Sequence, residues 1–272
     1  MIKSISWYIA VTVYALILAF PFLWMVSTAF KPTNEIHRLQ PSFIPETPTI
    51  EAFVYVLTET QYLMYLKNSL VVSVATTVIS VLFAAMAGYA FSRIRFKIRS
   101  KILSGFLAAQ MIPGVILIIP IYFILLQLQL TDTYIGLILT YVSFALPFST
   151  WIMTGYYKSL PRELEEAAFI DGASRMQAFI KVILPLSTPG LMSVGIFAFI
   201  LSWDEFLFAL TLTSTESMRT LPYGLYSFMS QYGIQWNQLM AASIITMVVP
   251  MLIFIFLHRY FIKGFTAGAV KE

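Results

Sequence analysis

Pro161-Arg162-Glu163-Leu164-Glu165-Glu166-Ala167-Ala168-Phe169-Ile170-Asp171-Gly172-Ala173, closed downstream by Leu184-Pro185, is a long polar stretch held between two apolar runs. The runs on either side, 134–157 and 187–213, are each long enough to cross the hydrocarbon of a bilayer, which takes about 20 residues. The stretch therefore reads as a water-side loop between membrane helices. Of the 272 residues, 59% are hydrophobic and 11% charged, whereas a soluble domain carries about 25% charged residues. The composition is that of an integral membrane protein. There is no cysteine, which removes disulfides, thiol catalysis and Cys-based metal sites. His37 and His258 stand far apart without clustered partners, so no metal site is expected.

Six spans account for the apolar runs: Trp7–Ala29, Ser69–Phe91, Ile102–Gln127, Tyr134–Tyr157, Ser187–Thr213 and Leu239–Ile262. The first has too long an apolar run for a signal-peptide core and is read as a retained helix. Basic residues sort by membrane side. With the N-terminus inside, Lys3, Arg93, Arg95, Lys97, Arg99, Lys101, Lys158, Arg162, Arg175, Lys181, Arg259, Lys263 and Lys271 face the cytoplasm. Only Lys31, Arg38, Lys67 and Arg219 remain outside. Both termini are expected inside, and the basic stretch Arg93–Lys101 is a topology determinant rather than a nucleic-acid patch.

One polytopic domain, residues 1–272, is expected. Outside, residues 31–68 form the longest loop, rich in proline and then periodic at Ile50, Phe53, Val54 and Leu57. That spacing predicts a short amphipathic helix at the interface, with Thr49 as its N-cap. Pro21, Pro113, Pro120, Pro147 and Pro250 fall inside spans, where each removes a backbone donor and favours a kink.

Within the polar loop, roughly 158–184, Pro161 suits a first helical turn. Glu163, Glu165 and Glu166 follow where the helix dipole favours negative charge, and Gly172 suits a left-handed stop. Leu164, Ala167 and Ala168 are expected on one face, with alanines that allow a partner's backbone to approach. Glu166 is placed beside them and Glu163 on the solvated side. Met176, Phe179, Ile180 and Ile183 predict a second helical segment. Taken alone, such a loop is also compatible with a helix that merely caps the bundle.

The spacing favours docking. Glu166-Ala167-Ala168, Gly172, Val182 and Leu184-Pro185, with Asp171 before the glycine, resemble the cytoplasmic loop signature of ABC importer permeases; Val182 replaces the usual isoleucine. Phe30-Lys31-Pro32, Asn68-Ser69-Leu70, Gly88-Tyr89-Ala90-Phe91-Ser92-Arg93, Trp203-Asp204-Glu205-Phe206 and Gly268-Ala269-Val270-Lys271 extend the resemblance along the chain. It resembles the carbohydrate branch, the group of maltose, trehalose and glycerol-3-phosphate importers, and its tail is similar to that of their shorter permease subunit. Asp204 departs from the family's usual asparagine.

The resemblance implies an all-α fold with six transmembrane helices, of the type I ABC importer permease kind, in a bacterial or archaeal cytoplasmic membrane. It implies a non-catalytic subunit without cofactor. Its partners would be a second homologous permease, two cytoplasmic ATPases that bind ATP and Mg, an extracytoplasmic solute-binding protein and a sugar. The chain has no Gly-x-x-x-x-Gly-Lys-Ser/Thr loop and would depend on those ATPases for ATP. The tail, 264–272, is read as an extended segment that would reach the ATPase interface in similar permeases.

Asp204 and Glu205 are adjacent acids inside an apolar span, where charge is costly unless it faces protein or water. With Trp203, Met111, Tyr141 and Ser143 they are the candidate translocation path or gate. Gly224, Tyr232, Gly233 and Trp236 in the outer loop 215–237 are candidates for touching the binding protein, as the corresponding loop does in maltose-type permeases. An ion-coupled secondary transporter would instead need midplane acids and a repeated half. No catalytic constellation supports a membrane enzyme.

Overall fold

The computed structural model describes residues 2–38, 40–230 and 233–269. Their regular structure is helical apart from a two-stranded antiparallel hairpin, β1 (Met229–Ser230) and β2 (Gly233–Ile234). Two compact units emerge, residues 1–66 with 223–249 and residues 67–222 with 250–272.

In the first unit, α1 (Ile2–Ala29) shows apolar side chains to its surroundings along nearly its whole length, Trp7, Tyr14, Phe20 and Phe22 among them. A helix apolar all round belongs in lipid or against another membrane helix. A short α2 (Thr33–Ile36) follows, then α3 (Glu51–Thr58) at the place the periodicity predicts. The N-cap of α3 is Ile50 and not the expected Thr49, whose Oγ1 accepts from the Glu51 N–H at 3.1 Å from one residue further out, and Ala52 and Val56 point inward. Glu35 is buried in this loop. It accepts from the Ser42 hydroxyl at 2.6 Å and from the Glu46 N–H at 3.3 Å, while Lys31 donates to the Ser42 carbonyl. Phe30-Lys31-Pro32 thus folds its own loop. The start of α4 (Tyr62–Arg93) buries Tyr62, whose hydroxyl donates to the Ala242 carbonyl at 2.9 Å on α14 (Trp236–Ala269).

The second unit holds two broken spans. α5 (Arg99–Ala109) and α6 (Gly114–Gln127) meet at 101°, with Pro113 at the break. Proline cannot donate, so the turn is lost there. Pro21, Pro120, Pro147 and Pro250 stay inside uninterrupted helices, so Pro113 alone of the five interrupts its span. α7 (Tyr134–Ser159) starts on Thr133, whose side chain accepts from the Gly136 N–H. Beyond the polar loop, α8 (Glu163–Ile170), α9 (Arg175–Ala178), a π-helical turn over Phe179–Ile183 and α10 (Leu184–Leu186) lead to α11 (Thr188–Trp203), with a 75° bend at Ser187.

The fifth span is not the continuous helix expected over 187–213. α11 stops at Trp203, and α12 (Leu207–Leu212) restarts after Asp204-Glu205-Phe206. At 1.5 Å per residue, its 16 residues cover about 24 Å, short of a hydrocarbon core of about 30 Å. Among the described residues, four helices are individually long and apolar enough to span, and six if each bent pair counts as one. A 3₁₀ turn (Glu216–Met218) and α13 (Leu221–Ser227) follow. α14 runs to Ala269, so Gly264–Ala269 is helical rather than extended; residues 270–272 of the tail lie outside the described residues.

Asn68 fastens one end of this unit. It is buried, donates to the Ser217 and Arg219 carbonyls at 2.9 and 2.7 Å, and accepts from the Tyr134 hydroxyl at 2.6 Å. Ser69 accepts from the Leu221 N–H at 2.8 Å. Asn68-Ser69 is therefore structural, because these bonds tie the start of span two to the loop after span five.

Candidate functional site

The loop after α7 is punctuated by sequence. Leu160 is extended and Pro161 follows it, so α8 begins only at Glu163, just past the proline. Its first turn carries Glu163, Glu165 and Glu166 near the positive end of the helix dipole. At the other end the Gly172 N–H bonds the Phe169 carbonyl at 3.0 Å and the Ala173 N–H bonds the Ala168 carbonyl at 2.9 Å. This is a Schellman termination, and Gly172 takes the left-handed φ of 83° it requires. Ser174 then starts α9 with a reciprocal box: its hydroxyl accepts from the Gln177 N–H, and the Gln177 side chain accepts from the Ser174 N–H at 2.7 Å.

Helical geometry splits α8 into two faces. Glu163, Glu166, Ala167 and Ile170, at i, i+3, i+4 and i+7, form one exposed ridge, and Ile170 is 86% exposed at its end. Ala168 is half-buried. Glu163 therefore shares the face of Glu166 instead of lying on a separate solvated side. The inward acid is Glu165, which sequence reasoning missed. Arg93 Nε stands 2.5 Å from Glu165 Oε1, and the two side chains keep only 7% and 8% of their surface. Tyr89 donates to Glu165 Oε2 at 3.0 Å, and Arg93 donates to the Leu160 carbonyl at 2.9 Å.

The second segment also divides. Phe179 and Ile183 enter a core of Ala84, Ala85, Tyr89, Met153, Tyr157 and Val194. The Tyr89 and Phe179 rings lie 4.6 Å apart. Met176 and Ile180, expected on the same helical face, point outward instead and are exposed. Leu184 is half-buried against the core and Pro185 is exposed. The exposed surface of the loop thus carries Glu163, Glu166, Ala167, Ile170, Met176 and Ile180.

At the break in span five the three candidates separate. Trp203 is buried, with 1% of its surface exposed, and stacks on Phe199 at 5.3 Å. Asp204 is exposed. Glu205 serves the backbone: it accepts from the Phe208 N–H at 2.9 Å, the Ala209 N–H at 3.0 Å and the Tyr141 hydroxyl at 2.9 Å. An interrupted helix within a membrane needs partners for its freed N–H groups, and this carboxylate provides them. Tyr141 is buried, and Ser143 donates to the Thr140 carbonyl within its own helix. Met111, at the break between α5 and α6, is 84% exposed. The two breaks are neighbours, because a side chain added at Gly114 would stand 3.8 Å from the Phe208 ring.

Of the outer-loop candidates, Gly233 and Trp236 are exposed. Gly224 is buried, and a Cβ there would come within 2.6 Å of the Tyr65 ring, so close packing explains the glycine. Tyr232 lies outside the described residues. In the second unit, burial raises the pKa of Asp132, but the Ser214 and Thr215 N–H groups, at 2.8 and 3.1 Å, outweigh it and hold the carboxyl below its ordinary value. The Ser42 hydroxyl likewise lowers the pKa of Glu35, helped by the Glu46 N–H and the Lys31 charge and opposed by burial.

The family model of binding-protein-dependent transport system inner membrane components matches residues 80–266. The diacetylchitobiose uptake system permease protein DasC of Streptomyces coelicolor is 39% identical over 254 residues, 93% of this chain and 92% of its own. The trehalose/maltose transport system permease protein MalG of Thermococcus litoralis is 36% identical over 273 residues, 99% of this chain and 98% of its own. In fold, the chain is similar to a solved bacterial ABC transporter involved in the import of the acidic polysaccharide alginate. That match has a TM-score of 0.82 and 21% identity, and covers 96% of each chain. The chain belongs to the family of binding-protein-dependent transport system inner membrane components: it is a non-catalytic, multi-pass inner-membrane permease.

Proposed function

We propose that this chain is one of two homologous permeases in an ATP-driven ABC importer of a sugar or related solute. An extracytoplasmic binding protein delivers the solute, and two cytoplasmic ATPases dock on the loop around Glu166-Ala167-Ala168. The chain acts as one transmembrane domain, in a bacterial or archaeal cytoplasmic membrane with both termini inside. The observation that carries this reading is the exposed ridge Glu163, Glu166, Ala167 and Ile170, set off by a left-handed Gly172. A charged and small-residue ridge with an apolar end suits a protein partner better than open water. Relatives named for diacetylchitobiose, trehalose/maltose and arabinooligosaccharide transport support a carbohydrate cargo.

ATP-driven closure of the ATPases would move the docked loop, and the two broken spans supply places where the bundle can open. An ion-coupled transporter is less well supported, because Glu205 is committed to peptide N–H groups and leaves only Asp204 of the pair for ion coupling. The test is the complex purified from host membranes with its bound subunits. Diacetylchitobiose, maltose, trehalose and arabinooligosaccharides are each added with the co-purified binding protein. Stimulation of ATP hydrolysis by at least one is expected; stimulation by none, with transport driven by an ion gradient instead, would overturn the assignment.

A further inference from the structure

The outward ridge of α8 explains how a partner could be held, not how its movement would reach the spans. The inward face addresses that. Glu165 leaves α8 on the side opposite the ridge and is almost fully enclosed with Arg93, the last residue of α4. Arg93 also bonds the carbonyl of Leu160, which ends α7, while Tyr89, one turn earlier on α4, bonds the second Glu165 oxygen. Three helix ends therefore converge on one buried charge pair. The Tyr89 ring then packs against Phe179 and Tyr157, at 4.6 and 6.0 Å, and joins the π-helical turn to the same point.

We propose that Glu165 and Arg93 form the rigid link by which displacement of α8 is carried into α4 and α7, so that both residues position the spans during transport. The proposal rests on α8 being the docking helix. The ion pair fixes the distance between α8 and α4, while the Tyr89 hydroxyl on the second Glu165 oxygen and the Arg93 guanidinium on the Leu160 carbonyl add the direction that apolar packing lacks. Burial keeps solvent from competing for the same donors. Movement imposed on the ridge is then shared with the ends of α4 and α7 instead of being absorbed by bending of the loop. Glu166, one residue on, has the complementary role of holding the partner.

The test uses the whole complex with its ATPase subunits. This chain has no cysteine, so each introduced one is its sole thiol, and the partner subunits are used in cysteine-free form. Spin labels at Met86→Cys on α4 and Leu164→Cys on α8 report their separation without nucleotide and with vanadate-trapped ATP. Alkylation of Met111→Cys, at the break between α5 and α6, reports the response of a distant part of the bundle. In the unmodified background the separation is expected to hold between the two states, while trapped ATP changes the alkylation rate.

Glu165→Gln, Arg93→Gln and the double variant should still carry the ATPases, yet show a separation that changes with nucleotide. Their alkylation response should fall by about tenfold, the scale of a typical coupling between sites. The double variant separates coupling from charge balance, because removing both partners avoids an orphaned buried charge. A double variant that folds and responds fully would overturn the proposal, leaving the pair a structural neutraliser. A Met86–Leu164 separation that changes in the unmodified background would also overturn it. Should the single variants fail to assemble, the double variant and Tyr89→Phe still decide. Failure of the docking reading looks different, since ATPases would then stay bound to Glu166→Lys.

Discussion

Glu205→Ala is expected to be the most damaging single change at the break in span five, and its cost can be worked from the bonds in place. The carboxylate accepts three donors: the Phe208 and Ala209 N–H groups and the buried Tyr141 hydroxyl. A donor left unpartnered out of water costs about 1–3 kcal/mol, so the three together would cost about 3–9 kcal/mol. Water reaching the break beside exposed Asp204 should bring the figure toward the lower end, about 3–4 kcal/mol. Glu205→Gln keeps one acceptor oxygen and should cost about half as much. Tyr141→Phe removes a single bond and should cost about 1 kcal/mol. Thermal unfolding in detergent, followed by intrinsic tryptophan fluorescence with Trp203 next to the change, orders the three variants. If Glu205→Ala melts with the unmodified protein, or if Tyr141→Phe is the worse of the two, Glu205 does not support the break. Transport lost in Glu205→Gln at unchanged melting temperature would make it a path residue instead.

Asp132 should give the outer loops an acid-sensitive tether. Its folded pKa is lowered, so its contribution is complete above the unfolded value of about 4 and disappears as pH falls through the folded value. Stability below that range should drop in the unmodified protein and fall less steeply in Asp132→Ala, which a melting series against pH reads directly. Gly172→Val forces a β-branched residue to a φ of 83° and should cost about 1–3 kcal/mol locally; limited proteolysis should then cut the 170–174 turn faster while the spans stay protected. Single cysteines at Phe96 and Arg175 should react with an impermeant reagent only from the cytoplasm, and those at Gln40 and Ser217 only from outside. Labelling of Arg175→Cys in sealed, right-side-out cells would reverse the topology.

Much of this was legible in the chain because it depends on local rules. Apolar length located the spans, the period of Ile50, Phe53, Val54 and Leu57 located α3, and the glycine after Asp171 located a left-handed stop. What escaped depends on choices that local rules leave open. Adjacent Glu165 and Glu166 look alike as letters, and only the distant Arg93 determines which turns inward. The break at 204–206 exists because Glu205 takes backbone N–H groups for itself, although two acids in an apolar span already pointed to a need for donors. Proline position proved a weak guide, since four of the five prolines sit in unbroken helices and Pro113 alone interrupts one. Glu163 is a plain miscount: three residues before Glu166, it belongs on the same ridge.

The docking assignment rests on the exposed ridge of α8, and charge reversal there tests it most directly. Glu166→Lys changes a residue whose side chain is exposed, so the spans should insert and fold normally. A desolvated charge pair lost at an interface costs about 2–5 kcal/mol, equivalent to a roughly 30-fold or greater loss of affinity. Glu165 keeps its link to Arg93 in this variant and serves as the internal check that the loop is folded. Co-purification of the ATPase subunits with membrane-extracted Glu166→Lys, beside the unmodified chain, is the measurement. The account predicts that the ATPases are lost while the permease is recovered in full; ATPases retained at the unmodified level, with transport intact, would contradict it.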